Sequence, residues 1–294
     1  MPGRSSLLLT IAPGLFVLIW STGWITARYA TPYADPLTFL SLRYAVAGAV
    51  LATLCFVSGA VWPRGKAAGH AATSGILLHA IYLGGVWWAI SKGLPAGISG
   101  LIAAVQPILT ALLAPKLAGE PIPLRHWAGI TLGFLGIVMV LGPKLAGLSG
   151  EALTAQLVPL AFNVLAMVSV TLGTFYQKRF IPAGDLRAVT TLQYAGALAV
   201  TLPLAWLTEP MRIEWNLTMV LNLAWAVLAL SIGAIGLLLM LIRQGAVSRA
   251  AALIYLVPPS VAIEAFLLFG ETLNGLQMIG MAVTSFGVAL AVRR

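Results

Sequence analysis

Charge is what this sequence has least of. Only 9% of its 294 residues are Asp, Glu, Lys or Arg, while 60% are hydrophobic and the mean hydropathy is +0.97. A soluble domain carries roughly 25% charged residues. This chain therefore has too little charge to coat a water-facing surface, and the lipid bilayer is its expected solvent. Acidic residues number 8 against 17 basic ones, but the basic residues are scattered singly or in pairs among apolar runs. No contiguous patch exists to grip phosphates, so nucleic acid is not an expected partner. Cysteine is nearly absent. Cys55 alone permits no intramolecular disulfide and no thiolate metal cage. The chain has no G-x-x-x-x-G-K-[ST] loop and no H-E-x-x-H, which removes ATP-driven pumping and zinc hydrolysis from the expected activities. No cofactor is called for. An intramembrane enzyme needs paired acids or a Ser/His constellation, and the apolar runs offer one acid, Glu264, and one histidine, His79.

What is abundant is apolar length. A helix needs about 20 apolar residues to cross the hydrocarbon core. Ten stretches meet that need: Leu7–Ala27, Pro36–Val57, Ala71–Ser91, Ala96–Leu117, His126–Leu141, Ala155–Tyr176, Leu186–Leu207, Val220–Ile242, Ala250–Phe269 and Leu273–Val292. The first lacks a clean small-x-small cleavage site, so it is expected to be a retained helix and not a signal peptide. With ten spans, 12 Lys and Arg residues fall on the side of the N-terminus, among them Arg4, Arg64, Lys66, Arg125, Lys178 and Arg179. Arg28, Lys92, Lys144 and Arg212 fall on the other side, and Arg43 lies inside the second span. The positive-inside rule then places both termini in the cytoplasm, in a bacterial-type inner membrane.

The two halves of the chain resemble each other. A shift of 151 residues places Pro107 on Pro258, Gly119-Glu120 on Gly270-Glu271, Gly129 on Gly280 and Gly136 on Gly287. A shift of 150 places Asp35 on Asp185, Leu42 on Leu192 and Tyr44-Ala45 on Tyr194-Ala195. The duplication divides the chain into residues 1–150 and 151–294, each with five spans. Five is odd, so the second half must lie inverted relative to the first. Inverted repeats are a recurrent construction of secondary transporters, whose similar halves open alternately to each side.

The same residues carry a family resemblance over nearly the whole chain. Ile19-Trp20-Ser21-Thr22-Gly23-Trp24 in the first span and Pro36…Leu42-Arg43 entering the second are the first elements of it. Pro107 and Pro258, each followed 13 residues later by Glu120 or Glu271, complete it. The chain resembles the drug/metabolite transporter superfamily, in particular its ten-helix EamA-type members. Within that group it is similar to the bacterial YddG-type exporters of aromatic amino acids. The resemblance implies an all-α basket of ten transmembrane helices around a central cavity, exporting amino acids or related metabolites from the cytoplasm. A membrane-embedded enzyme or lipid-handling protein using His79 and Glu264, and a channel for small solutes, are the rival readings. Oligomeric state is not legible, because lipid-facing and helix-facing apolar surfaces look alike in sequence.

Polar groups inside a bilayer usually face a cavity or a partner. Glu264 either carries a coupling proton or meets a substrate amine, or packs against Arg43. Arg43 either snorkels to the headgroups or holds a substrate carboxylate. His79 has Tyr82 at i+3 on one helical face, where it either titrates near neutral pH or serves as a satisfied structural group. Trp20 and Trp24, at i and i+4, either line a cavity for flat substrates or anchor at the interface. Trp62, Trp127, Trp206 and Trp215 fit the anchoring role. Tyr44, Gln106, Asn163 and Tyr255 are further candidate lining groups. Pro107, Pro258 and Pro259 interrupt the fourth helix of each half and read as hinges. Gly129 and Gly133 make a small face for close helix contact. Glu120 and Glu271 are expected to cap or pair locally.

Overall fold

In lipid every backbone N–H and C=O must be satisfied internally, so long apolar runs become helices. The computed structural model describes residues 3–118, 124–145, 150–181, 184–234, 237 and 256–292. Among these the regular structure is helical, apart from one isolated bridge between Ala34 and Ile213. The helices are α1 (Gly3–Ala30), α2 (Pro36–Val57), α3 (Lys66–Ser91), α4 (Ala96–Ile102), α5 (Val105–Ala118) and α6 (Leu124–Leu145). They continue with α7 (Gly150–Phe180), α8 (Leu186–Thr208), α9 (Leu217–Gly233), α10 (Val257–Phe269) and α11 (Gly275–Val292). Four of them, α2, α3, α7 and α8, are each long and apolar enough to cross a bilayer. Their outward faces leave Phe56, Val57, Leu172, Leu204 and Leu207 exposed, as lipid permits and water does not.

Three local features differ from a plain succession of spans. The run Ala96–Leu117 is two helices, because tight bonds from Ala103 N to Gly100 O and Ala104 N to Leu101 O end α4 before α5 begins. Pro107 sits in the first turn of α5. Pro258 and Pro259 likewise occupy the first turn of α10. The first turn of a helix has no internal acceptor for its N–H groups, so proline is tolerated there. Finally, α3 and α9 each contain a π segment, Ile76–Ile81 and Ala226–Gly233. The two start 150 residues apart, at the offset of the sequence repeat.

Packing follows the repeat. α2 packs along α8, α6 along α11 and α4 on α10. α1 contacts α10 as α7 contacts α5, α3 contacts α7 as α9 contacts α1, and α3 contacts α8 as α9 contacts α2. These pairs, apart from α4 on α10, map onto one another when the two halves are exchanged. At the α6–α11 crossing a methyl on Gly136 would overlap Thr284, and one on Gly287 would overlap the Gly133 backbone. Gly129 and Gly133, with Gly136, thus form a face that α11 approaches closely.

Carboxylates tie helix ends across the halves. Glu209, at the end of α8, accepts from Leu37 N and Thr38 N at 2.9 Å and from Thr38 Oγ1 at 2.8 Å, capping α2. Glu271 accepts from Ala96 N at 3.2 Å and Gly97 N at 2.9 Å, capping α4 and not a local partner. Glu120 lies outside the described residues. Removing an N-cap costs about 0.5–2 kcal/mol. Glu209→Ala is expected at the upper end of that range, because three donors lose one ionised acceptor. Thermal unfolding of the purified variant in detergent checks this; an unchanged midpoint would contradict the capping role.

Candidate functional site

A buried polar and aromatic cluster lies midway along α2, α3 and α8, and the two π segments contribute to it. Tyr44 of α2 and Tyr194 of α8, repeat mates at the 150-residue offset, stack with ring centroids 5.6 Å apart and planes 15° from parallel. His79, in the π segment of α3, adds a third ring, 5.9 Å from Tyr44 and 4.9 Å from Tyr194. Tyr44 Oη donates to His79 O at 3.0 Å, fixing the phenol against α3. His79 Nε2 is buried and has no hydrogen-bond partner among the described residues. π-helical turns are rare and recur at functional sites, where the widened turn re-aims side chains. Here they position His79 from one side and Ser231 from the other.

Arg43 brings the charge. It is 6% exposed, and its Nε donates to Ser231 Oγ, in the π segment of α9, at 3.0 Å. Ser231 Oγ in turn donates to Ala226 O. No carboxylate among the described residues lies within ion-pair distance of Arg43; the two ion pairs present are Arg187–Asp185 and Arg212–Glu214. The guanidinium is close enough for its charge to act on Tyr44, Tyr82, Tyr194 and His79. A buried cation without a counter-ion is expensive in a membrane interior, and such residues mark substrate or ion pathways.

A second polar contact joins α1 to α10. Ser21 Oγ donates to Glu264 Oε1 at 2.5 Å, and Glu264 Oε2 is buried without a partner among the described residues. Trp24, one turn from Ser21, has its indole Nε1 buried and without a partner among the described residues. Glu264 and Arg43 therefore have separate partners, Ser21 and Ser231, and do not pair with each other.

The remaining candidates are distributed as follows. Tyr82 is buried on α3 next to the cluster. Asn163 is fully buried on α7, where its Oδ1 accepts from Ser99 Oγ at 2.9 Å. Trp20 is 38% exposed and packs its ring 5.4 Å from Phe16. Gln106 is half-buried at the start of α5, directly after the α4–α5 break. Tyr255 lies outside the described residues. Trp127, Trp206 and Trp215 are exposed. Ser231 and Gln193 were not among the sequence candidates. A serine among apolar residues carries no signal of its own, and Gln193 stands out only by adjoining Tyr194.

The sequence profile of the EamA-like transporter family matches residues 8–142 and again residues 158–293. The chain belongs to this family. The double match means that the EamA unit is present twice. An Escherichia coli K12 protein named "Uncharacterized inner membrane transporter YedA" is 27% identical over 286 residues, covering 96% of this chain and 90% of that protein. A Salmonella typhimurium protein named "Probable amino-acid metabolite efflux pump" is 24% identical over 293 residues, covering 95% and 92%. A solved structure titled "Crystal structure of protein" aligns with a TM-score of 0.67 at 19% identity, covering 96% of this chain and 95% of that one. The last likeness concerns the fold alone. Membership makes this EamA protein a membrane transporter, and the relatives' names are transporter names, not enzyme names.

Proposed function

We propose that this EamA protein is a secondary transporter that exports small metabolites, chiefly aromatic and neutral amino acids, from the cytoplasm by alternating access. In this reading ten spans form two inverted five-helix repeats, 1–150 and 151–294, around a central cavity in a bacterial-type inner membrane. Both termini are cytoplasmic. The helix pairs α1–α10 with α7–α5, α3–α7 with α9–α1, and α3–α8 with α9–α2, which correspond between the halves, support the repeat, and the 12-against-4 division of Lys and Arg supports the orientation. The name of the Salmonella relative supports amino-acid metabolites as the substrate class.

One observation carries the substrate assignment. Arg43 is buried, bonded through Nε to a neutral serine, and lacks a carboxylate partner among the described residues, beside the rings of Tyr44, Tyr194 and His79. A guanidinium recognises a carboxylate by paired, charge-assisted hydrogen bonds. Aromatic faces next to it suit a flat or apolar side chain. Together they match the two ends of an aromatic amino acid. Arg43 is assigned the substrate carboxylate; Tyr44, His79, Tyr82, Trp20, Trp24, Asn163, Gln106 and Tyr255 are assigned to the surrounding lining. Pro107, Pro258 and Pro259 are assigned as hinges.

The test is uptake of radiolabelled phenylalanine into proteoliposomes with a panel of unlabelled competitors. Competition by Trp, Tyr, Met and Leu, and none by Asp or Lys, is the expected result. Uptake that no amino acid competes would remove the substrate assignment.

A further inference from the structure

Ser231 Oγ has two partners. It accepts from Arg43 Nε at 3.0 Å and donates to Ala226 O at 2.9 Å. A serine hydroxyl has one hydrogen to give. That hydrogen goes to a carbonyl of its own helix, so a lone pair is what Arg43 meets. Ala226 lies five residues back along α9. Among the described residues, the other hydroxyls that bond back along their own helix reach three or four residues, as from Ser21 to Leu18, Ser74 to Ala71 and Thr201 to Ala197. Five is the spacing of a π turn, and Ser231 lies in the π segment Ala226–Gly233. The widened turn therefore sets where the Ser231 hydroxyl points.

This bond governs which part of the guanidinium stays open. Arginine has five N–H donors, one on Nε and two on each Nη. A carboxylate can pair with it side-on, through Nε and one Nη, or end-on, through both Nη atoms. With Nε committed to Ser231, the end-on edge remains. Neither Nη makes a hydrogen bond among the described residues. Arg43 belongs to α2 and Ser231 to α9, so the anchor comes from the other half of the chain. An untethered arginine side chain samples many rotamers, and fixing it before a ligand arrives removes that entropic penalty from binding.

We propose that Ser231 is the positioning residue of the carboxylate site. Its hydroxyl, set by the π turn of α9, holds Arg43 so that both Nη atoms present an end-on edge to the substrate carboxylate. This role rests on the assignment of Arg43 to the substrate carboxylate made above. It also explains why the anchor is neutral. An acidic residue in the place of Ser231 would hold the guanidinium equally well, but would neutralise it, and the buried cation would no longer need the charge of a substrate. Serine fixes the direction of the fork and leaves its charge available.

Three variants of the reconstituted full chain test this. Ser231→Ala should raise the KM for radiolabelled phenylalanine about tenfold with kcat nearly unchanged, because the charge-assisted bond that orients Arg43 is lost before the substrate arrives. Ser231→Thr, which keeps the hydroxyl, should restore the wild-type KM. Ser231→Asp should abolish phenylalanine counterflow while melting no earlier than wild type, since its ion pair with Arg43 competes with the substrate. An unchanged KM in Ser231→Ala, or counterflow that survives in Ser231→Asp, overturns the proposal. Should Ser231→Ala not fold, Ser231→Cys, close in shape but a weak acceptor, takes its place.

A second readout needs no substrate. In protein carrying isotope-labelled arginine, the NMR signal of Arg43 Nε–H is the one missing from Arg43→Gln. It should exchange slowly with water in the wild type and in Ser231→Thr, and fast in Ser231→Ala. Equal exchange in all three overturns the tether and leaves the transporter standing. If phenylalanine does not move through the wild type at all, the substrate assignment fails and the carboxylate role of Ser231 falls with it. The Nε–H signal then still decides whether Ser231 holds Arg43.

Discussion

Arg43→Gln weakens the apparent affinity for an amino-acid substrate at least about thirtyfold, because losing one partner of a buried charged hydrogen bond costs about 2 kcal/mol or more. Arg43→Lys falls between wild type and Gln. It keeps the charge but gives up both the fork that pairs with a carboxylate and the Nε bond to Ser231. Stability is expected to move the other way. The guanidinium is buried with no carboxylate beside it among the described residues, and removing an uncompensated charge from an apolar interior relieves a desolvation penalty. The unfolding midpoint of Arg43→Gln should equal or exceed that of wild type. Counterflow at a series of substrate concentrations and a thermal melt check the pair of results. A variant that melts early and transports with unchanged KM would mark Arg43 as purely structural.

Gly75→Val and Gly196→Val each remove most of the folded protein. A methyl on Gly75 would overlap the Gln193 backbone, and one on Gly196 would overlap the Ala72 backbone. Backbone atoms of two packed helices cannot yield as a side-chain tip can. Overpacking of a tight core costs about 1–3 kcal/mol and sometimes more, and this crossing belongs at the upper end. The same approach lets Gln193 Nε2 donate to Ser74 Oγ at 3.0 Å and to Gln177 Oε1 at 3.1 Å, tying α8 to α3 and α7 beneath the aromatic cluster. Both substitutions act on one crossing, so the double variant should lose less than the sum of the two. Gly142→Ala is the control, since a methyl there meets nothing within 4 Å. Yield of monodisperse protein after detergent extraction reads the outcome. Normal yield of Gly75→Val would mean that α3 and α8 are not so closely apposed.

The membrane character and the duplication were legible because both are written in composition and spacing. Scarce charge and long apolar runs leave only helices, and the offset that pairs Tyr44 with Tyr194 in sequence also stacks their rings. The hydropathy of Ala96–Leu117 could not reveal the break after Ile102, since the residues on both sides of it are equally apolar. The π segments were hidden for a similar reason. Ile76–Ile81 differs from ordinary helix only in hydrogen-bond register, which no residue pattern here announces. Arg43 stood out as an intramembrane charge, but its partner, Ser231, is 188 residues away on another helix. Small polar residues are common in membrane helices, so nothing local singled that serine out. Glu271 carried a cap signal of the wrong range: proximity in sequence suggested a local partner, and the fold supplies the N-terminus of α4.

The most direct test of the account asks whether a carboxylate is what Arg43 recognises. Competition of radiolabelled phenylalanine counterflow by unlabelled phenylalanine and by its carboxyl-free analogue phenethylamine, on wild-type proteoliposomes, measures this. The account predicts that phenylalanine competes and phenethylamine does not, and that Arg43→Gln erases the difference. Equal competition by both compounds, or a preference that survives Arg43→Gln, would contradict it.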